Sequence, residues 1–152
     1  MAPEFADRAE ALQDWDQVAV LSVESSRCPR WYRPGLLLIG DAAHVMSPIG
    51  GVGINYAVQD AVVAANVLTD LLQAGQVRVD HLRQVQRERE WPTRVIQWIQ
   101  KQVQQRVIAA ALRSNVALTV PPALRLVLRL PILRDIPARI IAFGVRRVRV
   151  KQ

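Results

Sequence analysis

The sequence predicts an α/β chain that is mostly helical, with two or so strands early on and long amphipathic helices after them. Three observations carry this. Val18 to Ser26 alternates and is rich in β-branched residues, and Leu36 to Ile39 is an unbroken apolar run, as strands require. Gly50, Gly51 and Gly53 lead into an alanine-rich stretch that ends near Leu72. From Asp80 onward, apolar residues recur three and four apart, the helical period.

The elements follow in order. Residues 3–14 predict a short helix, with Phe5, Ala9 and Leu12 on one face. The Val18–Ser26 strand comes next. Arg30 to Gly35 is a turn marked by Pro34-Gly35, with Trp31 packed down, and Leu36 to Ile39 is a fully buried strand. A helix then runs from about Ile54 to Gln73, capped by Gly75. Its apolar stripe is Ile54, Val58, Ala61, Ala65, Leu68 and Leu72. Asp60 and Asp70 fall off that stripe and are expected to be solvated or tied to nearby backbone. Asp80 caps the next helix, whose stripe is Leu82, Val85, Val95, Ile96, Ile99, Val103 and Val107, with Pro92 expected to kink it. Gln97, Gln100, Lys101, Gln104 and Gln105 form the face expected to meet solvent. Short apolar, basic segments at 123–130 and 138–150 are expected to pack on the rest, although such an end could also rest on an anionic membrane.

Composition narrows the function. The 152 residues suit one domain, and 51% apolar with 22% charged content supports a core. Cys28, the lone cysteine, cannot staple the chain and reads as a packing residue. No basic-then-apolar leader opens the sequence, and no apolar run nears the ~20 residues that span a bilayer. A cytoplasmic location is the expectation, with peripheral membrane contact through the basic end as an option. Residues 1–75 hold 4 Lys+Arg against 9 Asp+Glu, and residues 76–152 hold 16 against 4, so the two halves carry −5 and +12. With no zinc-finger spacing and no aromatic-basic motif, this asymmetry reads as a solvated face, and no nucleic-acid partner is expected.

The chemistry concentrates between the second strand and the first long helix. There Gly40-Asp41-Ala42-Ala43-His44 is followed by Pro48, then Gly50-Gly51-Val52-Gly53-Ile54-Asn55, then Asp60-Ala61. A carboxylate at a strand's end, glycines that admit a ligand to the backbone, and a helix N-terminus suit a phosphate-bearing cofactor. His44 reads as structural, satisfying a local group in the turn, and nothing at ligand spacing accompanies it as a metal site. No catalytic residue stands out.

This string resembles the second flavin-binding motif of the FAD-dependent aromatic hydroxylases, the family of p-hydroxybenzoate hydroxylase and the ubiquinone-biosynthesis hydroxylases. The resemblance is densest from Trp31 to Leu72 and looser on both sides. It implies that Gly40 and Asp41 lie beside the ribityl chain of FAD, with Asp41 hydrogen-bonded to it. It implies that Pro48 lies beside the isoalloxazine ring. The amides of Gly50, Gly51, Val52, Gly53, Ile54 and Asn55 would face the flavin N1–C2=O edge. In complete enzymes of the family, NAD(P)H reduces FAD, oxygen forms a C4a-hydroperoxide, and one oxygen atom passes to a small aromatic substrate. The Gly-x-Gly-x-x-Gly unit that holds the ADP half in that family is not in this sequence. The implied architecture is therefore the C-terminal part of a Rossmann-like FAD-binding domain, incomplete over residues 1–79, with a helical region over 80–152 packed on it. Such a portion would be inactive alone. The alternative is a truncated, non-catalytic fragment or interaction module that retains the FAD motif.

Overall fold

The computed structural model describes residues 14–19, 24–113, 135 and 139–151. It is mostly helical, with two small antiparallel sheets. Strand β1 (Ser26–Arg27) pairs with β4 (His44–Val45), and β2 (Tyr32–Arg33) pairs with β3 (Leu36–Leu37). Helix α1 spans Gly53–Gln73 and helix α2 spans Val79–Arg113. The expected helix at 3–14 falls outside the described residues apart from Asp14, as do Val20 to Val23 and the whole 123–130 segment.

The strands are shorter than the sequence suggests. Leu36 to Ile39 is not a buried strand: Leu36 is 50% exposed, and only Leu36–Leu37 forms a ladder. The cause is local. Pro34-Gly35 folds the chain straight back, with Gly35 at φ +74°, so the run pairs with its neighbour in a hairpin rather than entering a larger sheet. Trp31 packs down as expected and is fully buried. Its indole N–H donates to Cys28 O at 3.0 Å, and its ring lies 5.0 Å from that of His44.

Helix α1 buries a different face from the one its apolar residues suggest. Tyr56, Asp60, Val63 and Leu68 are buried, whereas Ile54, Val58 and Leu72 are 79%, 57% and 64% exposed. Asp60 is thus inside rather than solvated, and Asp70 is exposed. Of the expected stripe, only Leu68 is buried. Beyond Gln73 the chain closes as a left-handed cap: Gly75 has φ +64°, its N–H donates to Leu72 O, and Gln76 N–H donates to Leu71 O.

Helix α2 runs through Pro92 without interruption. Asp80 is inside its first turn rather than capping it, and pairs with Arg83 at 2.7 Å; His81 Nδ1 instead accepts the Arg78 amide. Leu82, Val85 and Ile96 are buried as expected. Val95 and Ile99 are half-buried, and Val103 is 40% exposed; the side chain of Val107 lies outside the described residues. The other buried positions on α2 among the described residues are Pro92 and the polar Gln86, Arg89, Thr93 and Gln100.

Two apolar clusters join the helices. Met46, Val52, Tyr56 and Ile96 form one, and Val63, Leu68, Leu82 and Val85 form the other. The segment 139–151 runs along α1. Asn55 Nδ2 donates to Ile141 O, Gln59 Nε2 to Phe143 O and Asn66 Nδ2 to Arg149 O, while Val145 N–H donates to Tyr56 Oη. Among the described residues, no helix is long and apolar enough to cross a membrane.

Gly40 marks the closest approach of the turn to α1. It has φ +57°, and a Cβ there would stand 3.0 Å from Ala57 Cβ. Gly75 shares the positive φ but faces open space. Replacing Gly40 with Ala is expected to lower unfolding free energy by about 2 kcal/mol, and Gly75 with Ala by about 1, in urea titrations. Equal losses at the two sites would mean that Ala57 yields to the added methyl group.

Candidate functional site

The site is assembled on one buried carboxylate. Asp60, in α1, is 0% exposed and accepts three hydrogen bonds from three other elements. Its Oδ2 accepts from Gly40 N–H at 2.9 Å and lies 2.6 Å from His44 Nε2. Its Oδ1 accepts from Arg89 Nε, on α2, at 2.7 Å. Burial alone would push this carboxyl up, but the bonds from His44, Arg89 and Gly40 offset that and hold it below its ordinary value of 3.8. Arg89 is fully buried as well. Its two Nη groups have no protein acceptor among the described residues, and the guanidinium sits 5.3 Å from the Tyr56 ring centroid. The structural reading of His44 therefore holds, although its partner is a carboxylate rather than a backbone carbonyl.

This cluster fixes the start of the Gly40–Ala42 turn and so the position of Asp41. Downstream, glutamines of α2 hold the chain by its backbone. Gln97 Nε2 donates to Ser26 O and Val45 O, each at 3.0 Å, and Gln100 Nε2 donates to Ser47 O and Ile49 O, each at 2.8 Å. Gln86 receives the Trp31 amide at 2.9 Å and donates to Pro29 O at 3.1 Å. Gln97 and Gln100 are thus structural clamps and not the solvated face expected for them; Gln100 is only 3% exposed.

The surface these contacts shape is a groove of about 740 Å³. Asp41, Met46, Ser47, Pro48 and Gly51 line it from the turn and loop, and Gly53, Ile54, Ala57, Val58 and Ala61 from α1. Glu24 adds a second carboxylate. Val52 precedes α1 without a side-chain cap bond, so the helix's first-turn amides lack an intrahelical acceptor beside this groove. Gly50 and Gly51 have φ +82° and +61°, and a Cβ on Gly51 would meet nothing within 4 Å. Such a surface combines apolar residues, helix-start amides without an intrahelical acceptor and two carboxylates.

Of the nine residues the sequence nominates, Asp41, Pro48, Gly51, Gly53 and Ile54 line the groove. Gly40 is buried behind it on Asp60, Val52 is buried in the core, and Gly50 shapes the loop. Asn55 is turned to the C-terminal segment through Ile141 O. Sequence reasoning missed Arg89 and Gln100 and misplaced Asp60. Gln86, Arg89, Thr93, Gln97 and Gln100 share one helical face, and that polar periodicity is the signal that could have found them. Among the described residues, no cluster of three metal-ligating side chains occurs.

Comparison with known proteins gives these features a context. A model of an FAD binding domain matches residues 2–99. The chain is 39% identical over 150 residues to 6-methylpretetramide 4-monooxygenase of Streptomyces rimosus, covering 98% of this chain and 35% of that protein. It is 38% identical over 74 residues to kynurenine 3-monooxygenase of Stenotrophomonas maltophilia, 45% of this chain and 16% of that one. An FAD-dependent monooxygenase of Penicillium crustosum is 39% identical over 64 residues, 40% of this chain and 14% of its own. The chain thus spans about a third, or less, of the relatives it matches.

Breaking the carboxylate cluster should unfold the site before it unfolds anything else. Asp60→Asn is expected to cost about 3–5 kcal/mol at neutral pH, because Arg89 is left as a buried, uncompensated charge. The acid limb gives the second readout. Asp60 is held below 3.8, so its contribution is fully present above that value and is lost as pH falls through the lowered one. The wild type should therefore lose stability to urea below about pH 4, and Asp60→Asn should lack that share of the slope. Parallel acid limbs in the two proteins would refute this role for the carboxylate.

Proposed function

Because this chain belongs to the FAD binding domain family, we propose that its groove receives the flavin end of FAD and that it works as the FAD-binding portion of a flavin monooxygenase. The observation that carries the reading is the Asp41 carboxylate and the opening amides of α1 meeting in one groove with Pro48. Asp41 would accept hydroxyl hydrogens of the ribityl chain. The first-turn amides of Gly53, Ile54 and Asn55 would stabilise negative charge on the pyrimidine edge of the ring. Pro48, with no N–H and a rigid ring, would wall the site without competing for hydrogen bonds. Ile54, Ala57 and Val58 would exclude water from one side.

Bound FAD would supply the redox chemistry, taking electrons from NAD(P)H and using them with O2 to hydroxylate a small aromatic substrate in the whole enzyme. The parts played by this chain are binding, orientation and charge stabilisation. The family resemblance further suggests that the fold represents the C-terminal part of a Rossmann-like domain, with residues 80–152 as its helical support. A second reading is favoured by the bare apolar face of α1, where Ile54, Val58 and Leu72 are exposed. On that reading the chain is an interaction module that keeps the motif without turnover.

FAD titration separates the two. The purified chain should quench flavin fluorescence on binding, and Asp41→Ala should weaken FAD about tenfold or more by removing a charged acceptor. Gly51→Val, which places a branched side chain at positive φ beside the groove, should weaken it similarly. No quenching up to about 1 mM FAD, where only ~4 kcal/mol of binding would be needed, would leave the interaction module as the better reading.

A further inference from the structure

We infer that Gln100 of α2 is the positioning residue that sets where Pro48 stands in the groove wall. Its side-chain nitrogen has two hydrogens, and both are used: one goes to Ser47 O and the other to Ile49 O, each at 2.8 Å. These two carbonyls bracket Pro48. The amide's orientation follows from chemistry, since two carbonyl oxygens can be met only by donors. Its Oε1 is buried with no partner among the described residues, so the contact with the loop is what the residue does there.

The loop needs an outside hold. Pro48 has no N–H with which to anchor itself. Gly50 and Gly51 follow it at positive φ, where the backbone is most permissive. Within the loop, Gly51 N–H donates to Pro48 O at 3.0 Å, and Ile49 N–H makes a long bond of 3.4 Å to Ser47 Oγ. Gln100 sits in the same helix as Arg89, which holds Asp60 and through it the Gly40 turn. Helix α2 therefore holds two points of the groove's lining: Asp41, by way of Asp60 and Gly40, through a charge, and Pro48 through an amide. The placement of Pro48 stands on this geometry alone. Its consequence for FAD rests on the function proposed above.

Hydrogen exchange on the purified chain decides the first part. Gln100→Met removes both donors at similar length. The Ile49, Gly50 and Gly51 amides are expected to exchange about tenfold faster or more, beyond any change at Val63 in α1. Gln97→Met serves as the control: it should loosen Ser26 and Val45 and leave Ile49 to Gly51 within about twofold. Should Gln100→Met fold poorly, Gln100→Asn withdraws the same amide by one methylene and should give the same local pattern. Unchanged exchange at Ile49–Gly51, or a rise matched at Val63, overturns the assignment. FAD titration decides the second part. Gln100→Met should weaken FAD about tenfold, with Gln84→Met, whose amide donates to Glu88 on the same helix, within about threefold. Equal affinity with a loosened loop overturns the link between Pro48 and the flavin. A wild-type chain that binds no FAD overturns the groove reading instead, and the exchange result still decides the placement of Pro48.

Discussion

A single carboxylate with no access to water holds the structure's functional end together. Asp60 lies in α1, yet its three partners lie in the Gly40 turn, in β4 and in α2. No apolar contact can substitute for it, because apolar contact is non-directional. A carboxylate with two oxygens and several lone pairs can instead fix three donors at defined distances and directions. The arrangement is not an efficient way to stabilise a fold: desolvating Asp60 and Arg89 costs about as much as their attraction returns. What it secures is position. Each partner is held where the other two leave room for it, and Asp41 follows Gly40 directly.

The need for such a device follows from the strands. Each of the four strands among the described residues is two residues long, too short to fix register by ladder bonds alone. A larger sheet would align the Gly-Asp turn by its own hydrogen bonds. Here the alignment comes from the side chains of α2, which reach out at intervals of about one to two turns. Gln86 holds the Trp31 corner, Arg89 holds Asp60, Gln97 bridges β1 and β4, and Gln100 grips the Pro48 loop. The helix acts as a rigid rule against which irregular backbone is set, which is how loops with few contacts of their own acquire one conformation.

The glycine loop, the helix that follows it and the second long helix were legible because each depends on local chemistry. Glycine at positive φ, alanine at helical spacing and the Gly75 cap all declare themselves within a few residues. The buried face of α1 was not legible. A stripe of Ile54, Val58, Ala61 and Ala65 reads as core, and the charge of Asp60 reads as surface, whereas the fold inverts both. The inversion needs Arg89, twenty-nine positions away, and no local pattern reveals that partner. Gln97 and Gln100 failed for the same reason. A glutamine facing solvent and one facing two carbonyls look alike until the carbonyls are in place. The buried strand at Leu36 failed differently, because the turn chemistry of Pro34-Gly35 prevailed over apolar content.

The inverted face of α1 bears on the groove itself. Ile54 and Val58 are among the most exposed apolar side chains of the described residues, and both line the groove. A wall of that kind gains stability in proportion to the area that a ligand or neighbouring surface removes from water, about 25 cal/mol per Å². The polar groups of the same groove, Asp41 and the opening amides of α1 itself, gain most when water is excluded from them, since their interactions strengthen as the local dielectric falls. The apolar and polar groups therefore depend on the same event. An occupant with both characters would cover the apolar residues and desolvate the polar ones at once, whereas a purely polar or purely apolar occupant would satisfy only part of the surface. The groove thus offers an apolar surface and hydrogen-bonding groups side by side.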